Sequence, residues 1–126
     1  MKKLVIDETP KTPGVIFDPE KGSITIKGRS IPENSVVFYQ PVLDAMDEYI
    51  NTPHPETNMY VQLDYFSTSS SKCLLDLFKK LETIHKKGNK VTINWLYEDK
   101  DENIRDAGAD YETMIDVPFK ITAINE

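Results

Sequence analysis

The spacing of apolar residues changes four times between residues 59 and 124, and this alternation constrains the fold more than any other feature. Every second residue is apolar in some segments, which predicts strands, and every third or fourth is apolar in others, which predicts helices. The strands are predicted at residues 59–65, 90–97 and 119–123, and the helices at residues 73–87 and 101–115. This strand–helix order indicates parallel strands joined by right-handed crossovers.

The predicted strands alternate apolar and polar side chains, so only one face of the sheet is expected to be covered. A parallel sheet with helices on both faces would need almost continuous apolar strands. Residues 15–18 and 23–27 flank a Pro-Glu-Lys-Gly turn and are typical of a β-hairpin. We therefore interpret residues 1–126 as one α/β domain, with a mixed sheet of about five strands and helices mainly on one face.

Prolines mark the remaining N-terminal segments. Residues 1–14 are interpreted as an extended N-terminal arm, because its two prolines fix φ and lack an N–H donor. Thr9 and Thr12 in this arm are candidate modification sites, although a proline-rich loop is the simpler interpretation. A further helix is predicted up to Ile50, but Pro41 lies inside its pattern. Two alternatives remain there: a short turn before a helix that begins near Pro41, or one helix that bends.

Charge and hydropathy exclude several classes of partner. The net charge is −6 and the pI is near 4.9, so no basic excess is available for nucleic-acid phosphates. No apolar run approaches the roughly 18 residues of a membrane-spanning helix. Cys73 is the single cysteine and cannot form an internal disulfide, which fits a reducing compartment. We expect a cytoplasmic protein that binds neither nucleic acid nor membrane.

Residue types that carry catalysis or hold metals are scarce. His54 lies between two prolines, and His85 lies near a predicted helix end. They are the two histidines of the sequence, and Cys73 is its single thiol. A metal site needs several such ligands at set spacings, and a serine-hydrolase elbow needs flanking glycines that are absent here. Residues 98–102, four of which are acidic, are interpreted as a solvated surface. We therefore predict no catalytic residue, no metal site and no cofactor.

Five consecutive hydroxyl residues, Ser67 to Ser71, lie between a predicted strand and a predicted helix and precede Lys72. We call residues 67–71 the hydroxyl turn. A helix start needs only one or two capping hydroxyls, so the turn is a candidate functional site. An alternative is a small-molecule or anion-binding domain, in which the helix N–H groups of the turn hold a negative group.

Approximate free energies indicate which process a phosphate in the hydroxyl turn would control. Next to a helix N-terminus its local effect is about 1 kcal/mol, which is small against about 5–15 kcal/mol for a whole fold. Burying the uncompensated dianion in a partner interface costs several kcal/mol. A phosphate in the turn would therefore control binding rather than folding.

Four segments in this order resemble one known family: Thr12-Pro13, Ser30-Ile31-Pro32-Glu33-Asn34-Ser35, Tyr65-Phe66-Ser67-Thr68-Ser69-Ser70-Ser71-Lys72 and Val91-Thr92-Ile93-Asn94-Trp95-Leu96-Tyr97. Together they resemble the SiaC family of bacterial biofilm-regulating phosphoproteins, over about residues 9–122. That family is similar in fold to the STAS domains of anti-sigma-factor antagonists. The resemblance implies a STAS-like, non-enzymatic partner-switching protein.

The resemblance also implies partners and site residues. A serine/threonine kinase phosphorylates a threonine of the hydroxyl turn, and a PP2C-type phosphatase removes the group. In some relatives the unphosphorylated form binds and activates a diguanylate cyclase of cyclic-di-GMP signalling. The modified threonine corresponds to Thr68; Ser69 is the second candidate, because Ser67 stands where relatives commonly have Asn. A switch must lie inside the contact it controls, so Ser67, Ser69 and Lys72 are the predicted partner-binding residues.

Overall fold

The computed structural model describes residues 1–125, which form one sheet of six strands and three helices. The strands are β1 (Leu4–Ile6), β2 (Gly14–Asp18), β3 (Ser23–Ser30), β4 (Glu56–Phe66), β5 (Lys90–Glu98) and β6 (Phe119–Ile124). The helices are α1 (Ser35–Tyr49), α2 (Thr68–Lys86) and α3 (Glu102–Met114). Each helix connects two strands that are neighbours in the sheet.

The strands lie in the sheet in the same order as in the sequence. The pairs β1–β2 and β2–β3 are antiparallel, whereas β3–β4, β4–β5 and β5–β6 are parallel. Successive right-handed crossovers that advance in one direction place all their helices on the same face of the sheet. The α/β class, the mixed sheet and the one-sided arrangement of the helices are therefore confirmed.

The predicted number of about five strands is too low, because the arm contains a sixth strand. In β1, Leu4 pairs with Phe17 and Ile6 pairs with Val15, so β1 extends the hairpin at one edge of the sheet. Leu4 and Ile6 also pack partly against the core, while Val5 is exposed. Three residues are too short for an alternating pattern, so only an extended arm was predicted there.

The alternation of the strands sets the position of the core. One side chain in two along β2 to β5 is buried beneath the helices, and the intervening ones are exposed or half-buried. Trp95 on β5 is fully enclosed by aromatic rings: Phe66 at 5.9 Å, Tyr111 at 5.4 Å and Phe119 at 6.2 Å between ring centroids. This cluster joins α3 and β6 to the end of β4, where the hydroxyl turn begins.

Helix α1 is continuous through Pro41, which resolves the two alternatives in favour of one helix. It begins at Ser35 because the Asn34 side chain accepts a hydrogen bond from the Val37 N–H at 3.1 Å. Pro41 removes the donor that would bond the Val37 carbonyl. That turn lies on the exposed side of the helix, where water can satisfy the carbonyl. None of the helices within residues 1–125 has the length and apolar content needed to cross a membrane.

Candidate functional site

Two helix starts lie together at the carboxyl ends of the parallel strands β3 and β4. Helix α1 follows β3 and helix α2 follows β4, and Ser30 pairs with Phe66 at the ends of these strands. A register shift between Gly28 and Arg29 brings these two ends into line. The N–H of the next residue, Ser67, then donates to the Ser30 carbonyl at 2.9 Å. The sheet thus fixes the hydroxyl turn against the start of α1.

Helix α2 begins at Thr68, earlier than the predicted residue 73, so most of the hydroxyl turn is helical. Ser67 is the N-cap: its backbone is extended and its hydroxyl accepts from the Ser70 N–H at 3.2 Å. Its carbonyl accepts from the Ser71 N–H at 3.0 Å. A single residue therefore caps the helix, and four hydroxyl side chains remain within its first turn.

Ser70 is the centre of a buried hydroxyl network and is fully enclosed. Its hydroxyl accepts from Ser30 at 2.8 Å and from Ser67 at 2.9 Å, and donates to the Ser30 carbonyl at 3.0 Å. Since the Ser30 hydroxyl gives its only proton to Ser70, the Tyr39 hydroxyl must donate to Ser30, at 2.6 Å. Burial raises the pKa of Tyr39 to about 12, so this donor stays protonated near neutral pH. The network joins β3, α1 and α2.

A second branch of the network reaches the surface through Ser35, the first residue of α1. The Ser35 and Ser69 hydroxyls lie 2.7 Å apart, and Ser69 lies 3.2 Å from the Ser67 hydroxyl. Ser35 is 3% exposed, so its hydroxyl depends on these protein partners. The starts of α1 and α2 are therefore tied together by side chains that are 34 residues apart in sequence.

Thr68 differs from its neighbours in the hydroxyl turn. Its side chain is exposed, and among residues 1–125 its hydroxyl has no hydrogen-bond partner. Its carbonyl accepts from the Ser71 hydroxyl at 2.6 Å, within the helix. Lys72 is exposed one helical turn further on. All the predicted site residues thus share one surface, with Ser67 half-buried and Ser69 exposed at its edge.

Exposed apolar side chains follow Ser35 in the chain and line a cavity with Ser71, and they were missing from the predicted site. Val36 and Val37, directly after Ser35, are 64% and 67% exposed. Met114 at the end of α3 is 56% exposed and lines, together with Ser71, a cavity of about 190 Å³. Exposed apolar groups with a polar rim are typical of protein interaction sites. The sequence carried one signal for the valines: two apolar residues at positions that the α1 pattern leaves outside the core.

His54 and Cys73, whose residue types can bind metals or carry catalysis, have a local hydrogen bond and a buried position, respectively. Within residues 1–125, no three His, Cys, Asp or Glu side chains are placed to hold a metal ion together. The His54 ring accepts from the N–H of Glu56 at 3.1 Å and so completes a local turn. Cys73 is buried, and desolvation raises the pKa of its thiol, which keeps it in the unreactive protonated form.

Ser70→Ala is expected to destabilise the domain by about 1–3 kcal/mol, because Ser30 and Ser67 lose a buried acceptor. Ser71→Ala is the matched control, since its hydroxyl bonds only to its own helix and is part-exposed. The control should change the free energy of unfolding by less than about 0.5 kcal/mol. Urea unfolding followed by circular dichroism measures both. Equal stabilities of the two variants would contradict the central position of Ser70.

Comparison with known proteins identifies the chain. The model of a family described as SiaC family regulatory phosphoproteins matches residues 6–124. The protein is therefore, by class, a regulatory phosphoprotein. Within that class the chain belongs to the SiaC family, as its four sequence segments predicted.

Several similar proteins are from Pseudomonas aeruginosa. An uncharacterized protein of strain UCBPP-PA14 is 29% identical over 126 residues, which is all of both chains. The structure of SiaC is 27% identical with a TM-score of 0.90, covering 98% of this chain and 100% of that one. A chain in the crystal structure of the diguanylate cyclase SiaD in complex with its activator SiaC is 28% identical with a TM-score of 0.91, covering 96% and 99%. The fold is thus that of SiaC, and SiaC activates a diguanylate cyclase by binding it.

Proposed function

We propose that this chain is a non-enzymatic partner-switching protein of the cytoplasm, controlled by reversible phosphorylation of Thr68. Its unphosphorylated surface around Thr68 binds an effector, a diguanylate cyclase. A serine/threonine kinase adds the phosphate and a PP2C-type phosphatase removes it. The observation that carries the proposal is the exposed Thr68, whose hydroxyl has no hydrogen-bond partner among residues 1–125.

The charges around Thr68 favour a phosphate in the folded domain. Thr68 is the first residue of α2, where the helix dipole stabilises negative charge, and the first turn contains no acidic residue. Lys72 follows four residues later, which is the favourable order for an ion pair along a helix. Phosphorylation therefore adds charge without disturbing the fold. Its main effect is on the binding of a partner that covers the surface around Thr68.

The complex of the relative SiaC with SiaD supports the choice of effector. We assign the effector contact to Ser67, Ser69 and Lys72, together with Val36 and Val37 next to them. The two valines supply exposed apolar area, and the hydroxyls and Lys72 supply a polar rim. The alternative, anion binding by the helix N–H groups of the hydroxyl turn, has less support, because the Ser70 and Ser71 N–H groups already donate to Ser67.

Incubation with the cognate kinase and Mg-ATP tests the proposal. Intact-mass and peptide analysis should find one phosphate, on the peptide that contains Thr68. Thr68→Ala should abolish it and shift the melting temperature by less than about 3 °C, because surface substitutions rarely exceed about 0.5 kcal/mol. Uptake of no phosphate, or of phosphate only on Thr9 or Thr12, would refute the proposal. The hydroxyls of those two threonines bond to each other at 2.6 Å.

A further inference from the structure

The hydroxyl turn offers a kinase five side chains of nearly the same chemistry within five residues. Burial excludes only Ser70 as a phosphate acceptor, because its side chain is fully enclosed. Ser67 and Ser71 are half-buried and therefore less accessible to a kinase. Thr68 and Ser69 are both exposed, so access alone does not distinguish them. Local sequence does not distinguish them well either, since each has hydroxyl residues on both sides.

Hydrogen bonding does distinguish them. The Ser67 hydroxyl bonds to Ser70 at 2.9 Å, and the Ser71 hydroxyl donates to the Thr68 carbonyl at 2.6 Å. The Ser69 hydroxyl bonds to Ser35 at 2.7 Å. Thr68 alone in the turn has a hydroxyl with no partner among residues 1–125.

We infer that the fold itself selects Thr68 as the phosphate acceptor, and that Ser35 is the specificity-determining residue that withholds Ser69. The inference rests on the proposed function, since it needs a kinase that acts on this turn. It assigns to the first residue of α1 a function in choosing the modified residue on α2. The resemblance and the sequence left Thr68 and Ser69 both open; the Ser35–Ser69 contact separates them.

The chemistry of phosphoryl transfer explains why this hydrogen bond matters. The acceptor hydroxyl oxygen bonds to the γ-phosphorus of ATP while the bond from that phosphorus to the β–γ bridging oxygen breaks, and ADP leaves. The hydroxyl proton passes to a base of the kinase. The oxygen must point in line at the phosphorus from a short distance. Thr68 can do so without losing a contact, whereas the Ser69 hydroxyl must first leave Ser35.

The position of Ser35 makes its restraint on Ser69 effective. Ser35 is 3% exposed, so little water reaches its hydroxyl while Ser69 is bonded to it. Its other hydroxyl contact, with Ser70, is longer at 3.3 Å. A net hydrogen bond of ordinary strength corresponds to about 2- to 12-fold in the rate at which Ser69 reacts. The Ser67 hydroxyl at 3.2 Å adds to this restraint.

The test compares phosphate uptake by Thr68→Ala and by Ser35→Ala/Thr68→Ala, with the cognate kinase, Mg-ATP and peptide mass analysis. Thr68→Ala should remain almost unmodified. The double variant should take up phosphate on Ser69, about 2- to 12-fold faster than Thr68→Ala. Ser71→Ala/Thr68→Ala is the matched control, because it removes a hydroxyl from the same turn without touching Ser69, and it should match Thr68→Ala.

Ser35→Ala with Thr68 intact serves as the folding control. It should still take up phosphate on Thr68, which requires a folded turn that the kinase recognises, and should gain some on Ser69. If Ser35→Ala takes up no phosphate on Thr68, Ser35→Cys is used in its place. A thiol has a volume similar to that of the hydroxyl but is a weak hydrogen-bond donor, so the contact with Ser69 is weakened without leaving a cavity.

The outcomes separate the inference from the proposed function. Wild-type protein without phosphate in the turn overturns both. Wild-type protein modified on Thr68, with a double variant no faster on Ser69 than Thr68→Ala, overturns the inference alone. Efficient modification of Ser69 in Thr68→Ala itself also overturns it, because the Ser35 contact would then withhold nothing.

Discussion

Phosphorylation of Thr68 is expected to weaken binding of this protein to the proposed effector, a diguanylate cyclase, by about 100- to 1,000-fold. A phosphothreonine carries about −1.5 to −2 charges, and covering it with an apolar partner surface costs several kcal/mol, at about 1.4 kcal/mol per tenfold change in affinity. The free domain carries no matching penalty, because Thr68 is exposed and precedes Lys72 by one helical turn. Isothermal titration calorimetry with phosphorylated and unmodified protein measures the ratio directly.

Charge variants separate this electrostatic effect from a general loss of binding. Thr68→Glu should weaken binding by at least about tenfold, less than the phosphate because it adds only one charge. Thr52→Glu is the matched control: Thr52 is exposed after the other end of α1, far from the hydroxyl turn along the helix. It should leave the affinity unchanged. A phosphorylated protein that binds within about threefold of the unmodified one would contradict a switch that acts by blocking the interface.

The order of helices and strands could be predicted because it depends on local spacing. Alternation along β4 and β5 fixed both the strands and the single covered face, since a two-sided sheet would need apolar residues at both sets of positions. The short strand β1 could not be predicted. Its three residues are stabilised by pairing with β2 and by packing against the core, and neither contact leaves a pattern within the segment itself.

The candidate site could be predicted in part for a similar reason. The hydroxyl turn can be recognised in the sequence as five consecutive hydroxyl residues, and the family resemblance assigns the modified threonine to Thr68. The buried part of the site depends on Ser30 and Ser35, which reach Ser70 and Ser69 across 40 and 34 residues only once β3 and β4 pair and α1 packs on α2. Tyr39 joins the network through Ser30. In the structure Ser30 ends the strand β3, and its side chain points into the core.

Gly108 gives the clearest case in which tertiary packing reverses a local preference. Glycine inside a helix is less favourable than alanine by about 1 kcal/mol, so propensity alone predicts that Gly108→Ala stabilises α3. In the fold the Trp95 ring lies directly on Gly108. A Cβ atom there would be 2.4 Å from Trp95 Cδ1 and 2.6 Å from Nε1, closer than such atoms can approach. We expect Gly108→Ala to destabilise the domain by about 1–3 kcal/mol, with the propensity gain already included.

The size of this effect depends on how far Trp95 can move, and its surroundings resist that movement. Its ring N–H donates to the Ile104 carbonyl at 2.8 Å, and Tyr111 and Phe119 pack against the ring. Urea unfolding measures the loss. Ala109→Gly, at the next and exposed position of α3, is the matched control; it should cost only the propensity term of about 1 kcal/mol. A Gly108→Ala variant as stable as the wild type would mean that α3 shifts to make room.

The effect of Gly108→Ala should extend to the hydroxyl turn, so that packing in the core affects the switch at Thr68. Trp95 packs edge-to-face on Phe66 at 5.9 Å, and Phe66 directly precedes the N-cap Ser67. A displaced Trp95 ring therefore pushes on the end of β4, from which the Ser67 N–H donates to Ser30. Gly108→Ala should accordingly weaken effector binding as well as stability, whereas Ala109→Gly should lower stability alone. Packing beneath the turn, and not only the hydroxyls on it, then determines where Thr68 is presented.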